Sequence, residues 1–132
     1  MSTRCNVAVR IKEEDKGKQI WPYLFIEPDT NYLMIYIHHD GYPKGVGREL
    51  LKGLNNYKDA LEFVSVGDRS SVKIPYTALG EDYESNKPAQ LKSIRGAISE
   101  EYLYVYEKDV WLVTDDGSIF NTVKDVLEED IK

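Results

Sequence analysis

The run Asn31 to Asn56, NYLMIYIHHDGYPKGVGRELLKGLNN, constrains the fold more than any other stretch of the chain. It joins the longest apolar run, Tyr32 to Ile37, to a Gly/Pro turn and then to residues with helical spacing, and it holds both histidines. Apolar residues on both faces make Tyr32 to His38 a central strand. Asp40-Gly41-Tyr42-Pro43 stops it, because Gly41 permits positive φ and Pro43 is tolerated at the entry of a helix. Beyond the turn, Val46, Leu50, Leu51 and Leu54 form a helical stripe with Arg48, Glu49 and Lys52 facing out. Glycines at 45, 47 and 53 each cost about 1 kcal/mol in a helix interior, so this helix is expected to be short.

The remaining elements follow from the same patterns. From Arg4 to Lys12 the chain alternates, which predicts a strand with Cys5, Val7, Val9 and Ile11 buried and Asn6, Ala8, Arg10 and Lys12 facing solvent. Glu13 to Gln19 reads as a turn, and Ile20 to Glu27 as an apolar strand that Pro22 either confines to an edge or delays until just after the proline. That strand is expected to pair with Tyr32 to His38 across the turn Pro28-Asp29-Thr30-Asn31. Asn56 and Asp59 cap a second helix that buries Tyr57, Ala60, Leu61 and Val64 and ends near Gly67. Ser70 to Tyr76 predicts a short strand or extended edge limited by Pro75, and the aperiodic region Thr77 to Glu100 either a short helix near Gln90 to Ala97, the favoured reading, or a mobile functional loop. Tyr102 to Tyr106 and Val110 to Thr114 form a hairpin, with Tyr102, Tyr104 and Tyr106 on one face and Leu103 and Val105 on the other. Asp115-Asp116-Gly117-Ser118 is a turn, and Thr122 caps a last helix whose buried side is Val123, Val126, Leu127 and Ile131. Together these predict one α+β domain over residues 1–132, a mostly antiparallel sheet of about five or six strands with two or three helices packed on one face.

The totals narrow the classes of function. A chain of 132 residues buries enough surface to fold without a disulfide or a metal. Its net charge of −6 argues against general nucleic-acid binding, which depends on Lys and Arg to release counterions. No apolar run reaches the length of a membrane helix, the charged start MSTRCNVAVRIKEE does not resemble a secretion signal, and the single Cys5 fits a reducing compartment. A cytoplasmic protein that needs neither nucleic acid, membrane nor cofactor is therefore expected.

Titratable groups concentrate at His38-His39-Asp40. Adjacent strand residues point to opposite faces, and neither HxH nor HxxxH spacing is present, so a metal site is disfavoured. His38 remains a candidate general base, provided a carboxylate such as Asp40 fixes its tautomer. Cys5 or Ser2 as nucleophile would require an oxyanion hole and an orienting third group, neither of which the sequence displays, and Cys5 falls on the buried face. Lys44 to Arg48 carries a GxG at a helix start, too little for a phosphate loop. Ten tyrosines suit either packing at strand rims or a protein-binding face.

Two blocks carry a resemblance: Ser2-Thr3-Arg4-Cys5-Asn6, and Tyr36-Ile37-His38-His39-Asp40-Gly41-Tyr42-Pro43 followed by Gly47 to Leu50. They resemble a family of small uncharacterised proteins of phages, prophages and bacteria that begin STR-x-N and carry Y-x-H-x-D-G-Y-P after a short hairpin. The resemblance covers roughly the first 55 residues. It implies a phage or bacterial cytoplasmic origin and marks residues without assigning a reaction, and His39 stands outside its pattern. The marked residues Arg4, Asn6, His38, Asp40 and Tyr42 form a candidate polar cluster, either a structural tie with Arg4 on Asp40 or a binding site. The leading expectation is a non-enzymatic module that binds an unknown protein, or itself, through an aromatic strand face. The competing expectation is a small hydrolase or transferase with His38 as base and Arg4 holding an anionic group, and a ligand at the Gly45 to Arg48 helix start ranks third.

Overall fold

Valine-rich β1 (Cys5–Arg10) lies in the interior of the sheet, and its neighbours set the architecture. The computed structural model describes residues 3–21, 24–65, 67, 88–94 and 100–131. After β1 come β2 (Gln19–Trp21), β3 (Leu24–Phe25), β4 (Tyr32–Ile37), a π-helical turn (Pro43–Gly47), α1 (Arg48–Gly53) and α2 (Tyr57–Ser65). They are followed by β5 (Ala89–Leu91), β6 (Tyr102–Glu107), β7 (Val110–Thr114), β8 (Asn121–Thr122) and α3 (Val123–Ile131). Six strands make one mixed sheet in the order β5-β4-β1-β6-β7-β8, antiparallel except for the parallel pair β1–β6. The fold is α+β, and one core joins the helices to one sheet face: Val46, Leu50, Leu54, Ala60, Phe63, Val64 and Val123 meet Val7, Val9, Ile35, Ile37, Tyr104 and Val113.

Helix signals written locally appear where the chain specifies them. Asn56 Oδ1 accepts the Asp59 N–H at 2.9 Å and Thr122 Oγ1 accepts the Asp125 N–H at 3.1 Å, so each side chain caps its helix. The β6–β7 hairpin turns through Lys108 and Asp109 at φ 54° and 64°, the pair of left-handed residues that matches the twist of the flanking strands.

Four expectations fail, each for a tertiary reason. The Asn6 and Ala8 face of β1 is not solvent-facing: Asn6 is 4% exposed and Ala8 is buried with Tyr32, Leu103 and Val105 in a second apolar cluster. A small residue and a short amide read as polar alternation, yet an interior strand is covered on both sides. Ile20 to Glu27 does not pair with β4; β2 and β3 form a separate two-stranded ribbon, while β4 takes β1 and β5 as partners. Pro22 lies outside the described residues. Gln90 and Leu91, expected in a helix, are strand because the outer edge of β4 offers Leu33 and Tyr32 as partners, and the Gln90 amide extends the edge. Its Nε2 donates to the Phe25 carbonyl at 2.8 Å, and its Oε1 accepts the Glu27 N–H at 2.9 Å and the Thr30 hydroxyl at 2.7 Å. The strand expected over Ser70 to Tyr76 and residues 95–97 of that helix lie outside the described residues. Finally, the tyrosine face of β6 is largely covered: Tyr104 and Tyr106 are 0% and 3% exposed and pack under the helices.

Candidate functional site

The DGYP turn is built against the start of β1. Gly41 donates its N–H to the Thr3 carbonyl at 2.8 Å, and the hydroxyl of buried Tyr104 donates to the Gly41 carbonyl at 2.7 Å. A Cβ on Gly41 would sit 2.8 Å from the Arg4 carbonyl carbon and 2.9 Å from Cys5 Cβ, so only glycine admits this approach. Asp40 turns the chain with φ 58°, and its carbonyl accepts the Val46 N–H at 2.8 Å. Gly45 lies so close to the Asp40 backbone that any side chain there would overlap the Asp40 carbonyl oxygen. The crowding also accounts for the wide π-helical first turn ahead of α1, which starts directly on Pro43.

Of the five marked residues, Asp40 and Tyr42 are in direct contact. Asn6 faces Tyr36 across the β1–β4 ladder and is buried, its amide reaching the Ile35 carbonyl at 3.5 Å. His38 is half-buried, with Nδ1 2.6 Å from the Tyr36 hydroxyl and its ring edge-on to His39 at 4.5 Å. The hydroxyl donates to Nδ1 or an Nδ1–H donates to the hydroxyl, according to the imidazole tautomer. Asp40 is exposed, and its Oδ1 accepts the hydroxyl of exposed Tyr42 at 3.4 Å. Arg4 is exposed, and no ion pair joins it to Asp40 among the described residues; backbone groups of Thr3 and Gly41 make the tie instead.

No family model, curated protein or solved structure matches this chain. The geometry therefore carries the functional argument. Cys5 is fully buried and its thiol is pushed far above the usual range by burial first and by Glu100 second, which keeps it protonated and unreactive. Among the described residues no group of three or more His, Cys, Asp and Glu is placed to hold a metal, and no helix is long and apolar enough to cross a membrane.

The sequence pattern marks Asp115 to Ser118 as a turn but gives no sign of the exposed Ile119 that follows it, beside Pro43. A groove of about 120 Å³ is lined by Pro43, Tyr102, Val113, Ile119 and Val126, among others. Ile119 is 67% exposed although its loop is tightly bonded. Asp116 Oδ1 accepts the N–H groups of Ser118 and Ile119 at 2.8 and 3.1 Å and the Thr114 hydroxyl at 3.0 Å, while Thr114 Oγ1 accepts the Gly117 N–H at 3.0 Å. The Ser118 and Ile119 amides, in that order, with Thr114, hold the Asp116 carboxyl down at about 2. The signal was present as Thr-x-Asp-Gly-Ser after a strand, a pattern of side chains that bond backbone two or three residues on.

Proposed function

We propose that the chain is a non-enzymatic protein-interaction module that engages a partner protein through the end of the sheet bearing Tyr42, Pro43 and Ile119. The observation that carries this reading is Ile119 itself, a large apolar side chain 67% exposed on a loop whose backbone is already locked. A preordered apolar projection loses little conformational entropy when it enters a partner's pocket. Tyr42, 42% exposed, supplies a second anchor of a residue type favoured at binding hot spots. Exposed Asp40, Asp115 and Asp116 surround these anchors, which favours a partner whose apolar pocket has a basic rim. The resemblance of the STR-x-N and Y-x-H-x-D-G-Y-P blocks to phage and bacterial proteins supports an origin in such a setting.

The test compares wild type with Ile119→Asp in quantitative affinity capture at fixed salt, alongside light-scattering mass and thermal melting of both. Retention of a partner, or a dimeric mass for the wild type, is expected to fall about tenfold or more in Ile119→Asp with little change in melting temperature. Equal retention and equal mass in the two proteins would overturn the reading.

A further inference from the structure

The groove beside Ile119 has a shape and a charge of its own. Its apolar lining comes from separate parts of the chain: Pro43 in the π-helical turn, Tyr102 on β6, Val113 on β7, Ile119 in the β7–β8 loop and Val126 on α3. Pro43 and Val113 are buried, but solvent reaches the remaining walls, since Tyr102 and Val126 are half-buried and Ile119 is 67% exposed. At about 120 Å³ the groove is smaller than the roughly 150 Å³ that takes up benzene. It therefore fits one branched aliphatic side chain rather than an aromatic ring.

The charge around the groove selects what that side chain is attached to. β1 and β6 start, and β4 and β7 end, at this end of the sheet, where Cys5 pairs with Ile37 and Tyr102, and Leu103 with Thr114. Among the described residues, the segments beside those strand ends carry five carboxylates, Asp40, Glu100, Glu101, Asp115 and Asp116, against the cations Arg4 and Lys44. No ion pair joins any of the five to either cation among the described residues, and Asp115 lines the groove itself. A second copy of this chain would bring the same carboxylates against themselves across a two-fold axis, and an acidic partner would be repelled in the same way. Lysine or arginine beside the aliphatic residue is instead drawn to this end of the sheet.

We propose, resting on the reading that this end of the sheet engages a partner protein, that the groove receives one leucine or isoleucine from a linear segment of that partner, flanked on both sides by lysine or arginine. The aliphatic side chain packs against Ile119, Tyr102 and Val126. The flanking cations meet Asp115 on the rim and the carboxylates beyond it.

The experiment is ¹H–¹⁵N chemical-shift titration of the full chain with four peptides capped at both ends, KRLKR, KRAKR, QQLQQ and EELEE, at one pH and salt. KRLKR is expected to shift the amides at 102, 113–115, 119, 121 and 126, and KRAKR and QQLQQ each to bind about tenfold more weakly or worse. EELEE is expected to give no shifts. Asp115→Asn and Ile119→Ser, both at exposed positions, are expected to weaken KRLKR by about twofold and about fivefold. KRAKR binding as well as KRLKR would identify a diffuse charge patch and overturn the proposal. So would QQLQQ or EELEE binding as well as KRLKR, or a wild-type dimer that Ile119→Asp dissociates, which would place a second copy in the groove. Partner capture lost in Ile119→Asp, with no peptide shifting these amides, would overturn the proposal and leave the interaction reading standing. Equal capture by wild type and Ile119→Asp would overturn both together.

Discussion

Replacing Tyr104 by Phe removes the hydroxyl that ties the DGYP turn to the core. The ring stays, so no cavity forms, and what is lost is the 2.7 Å bond from a fully buried hydroxyl to the carbonyl of buried Gly41. A buried carbonyl deprived of its donor costs about 1–3 kcal/mol, more than the net value of an average hydrogen bond, because it cannot recover the bond from water. A domain of 132 residues has an unfolding entropy of about 0.28 kcal/mol per kelvin. The melting temperature of Tyr104→Phe should therefore fall by about 4–11 °C. Circular dichroism melts and urea titrations at neutral pH measure this, with an unchanged urea slope showing that the unfolded reference is the same. Tyr102→Phe, on the same strand face but only half-buried, is the control and should change stability by less than about 0.5 kcal/mol. A Tyr104→Phe melting temperature within about 2 °C of wild type would refute the claim that this bond fastens the turn.

Four further outcomes are expected. Gly45→Ala forces a methyl into the Asp40 carbonyl and should destabilise the fold by about 1–3 kcal/mol, read as a lower urea midpoint. Lys108→Asn with Asp109→Gly places the residues preferred at a turn with φ 54° and 64° and should raise stability by about 1 kcal/mol or more; a lower melting temperature would contradict it. Titration gives two signatures of opposite sign. Asp116, lowered to about 2, contributes stability present above its unfolded value of about 3.9 and lost as pH falls through 2, so Asp116→Ala should flatten the acid limb of a melting-temperature profile. Tyr57 is raised by burial first and then by its hydrogen bond to Asp15, so its contribution is intact below about 10 and lost as pH rises above that, and Tyr57→Phe should flatten the alkaline limb.

How much of this was legible depends on the range of the interaction that decides each feature. Caps at Asn56 and Thr122, the β6–β7 hairpin and the α+β class were readable, because each rests on groups a few residues apart or on a period carried by one segment. The candidate cluster was less so. Its histidine, aspartate and tyrosine were visible as types, but whether they meet depended on the β1–β4 register, which places Asn6 against Tyr36 inside a covered face. The Asp116 loop was local and readable in principle, yet the exposure of Ile119 was not, since solvent access is a property of what the rest of the chain leaves uncovered.

The amino-acid sequence by itself determined which residues cap α2 and α3, where the β6–β7 hairpin turns, and that Gly and Pro break the chain after Tyr32 to His38. Tertiary structure alone decided that β1 has two buried faces, that β4 pairs with β1 rather than with the preceding segment, and that Tyr104 closes onto Gly41. The physical reason is that backbone propensity and capping act over a few residues, whereas strand partners are chosen by competition among all apolar edges at once. That competition also brought Arg10 and Glu107, 97 positions apart in the chain, into contact with Tyr32.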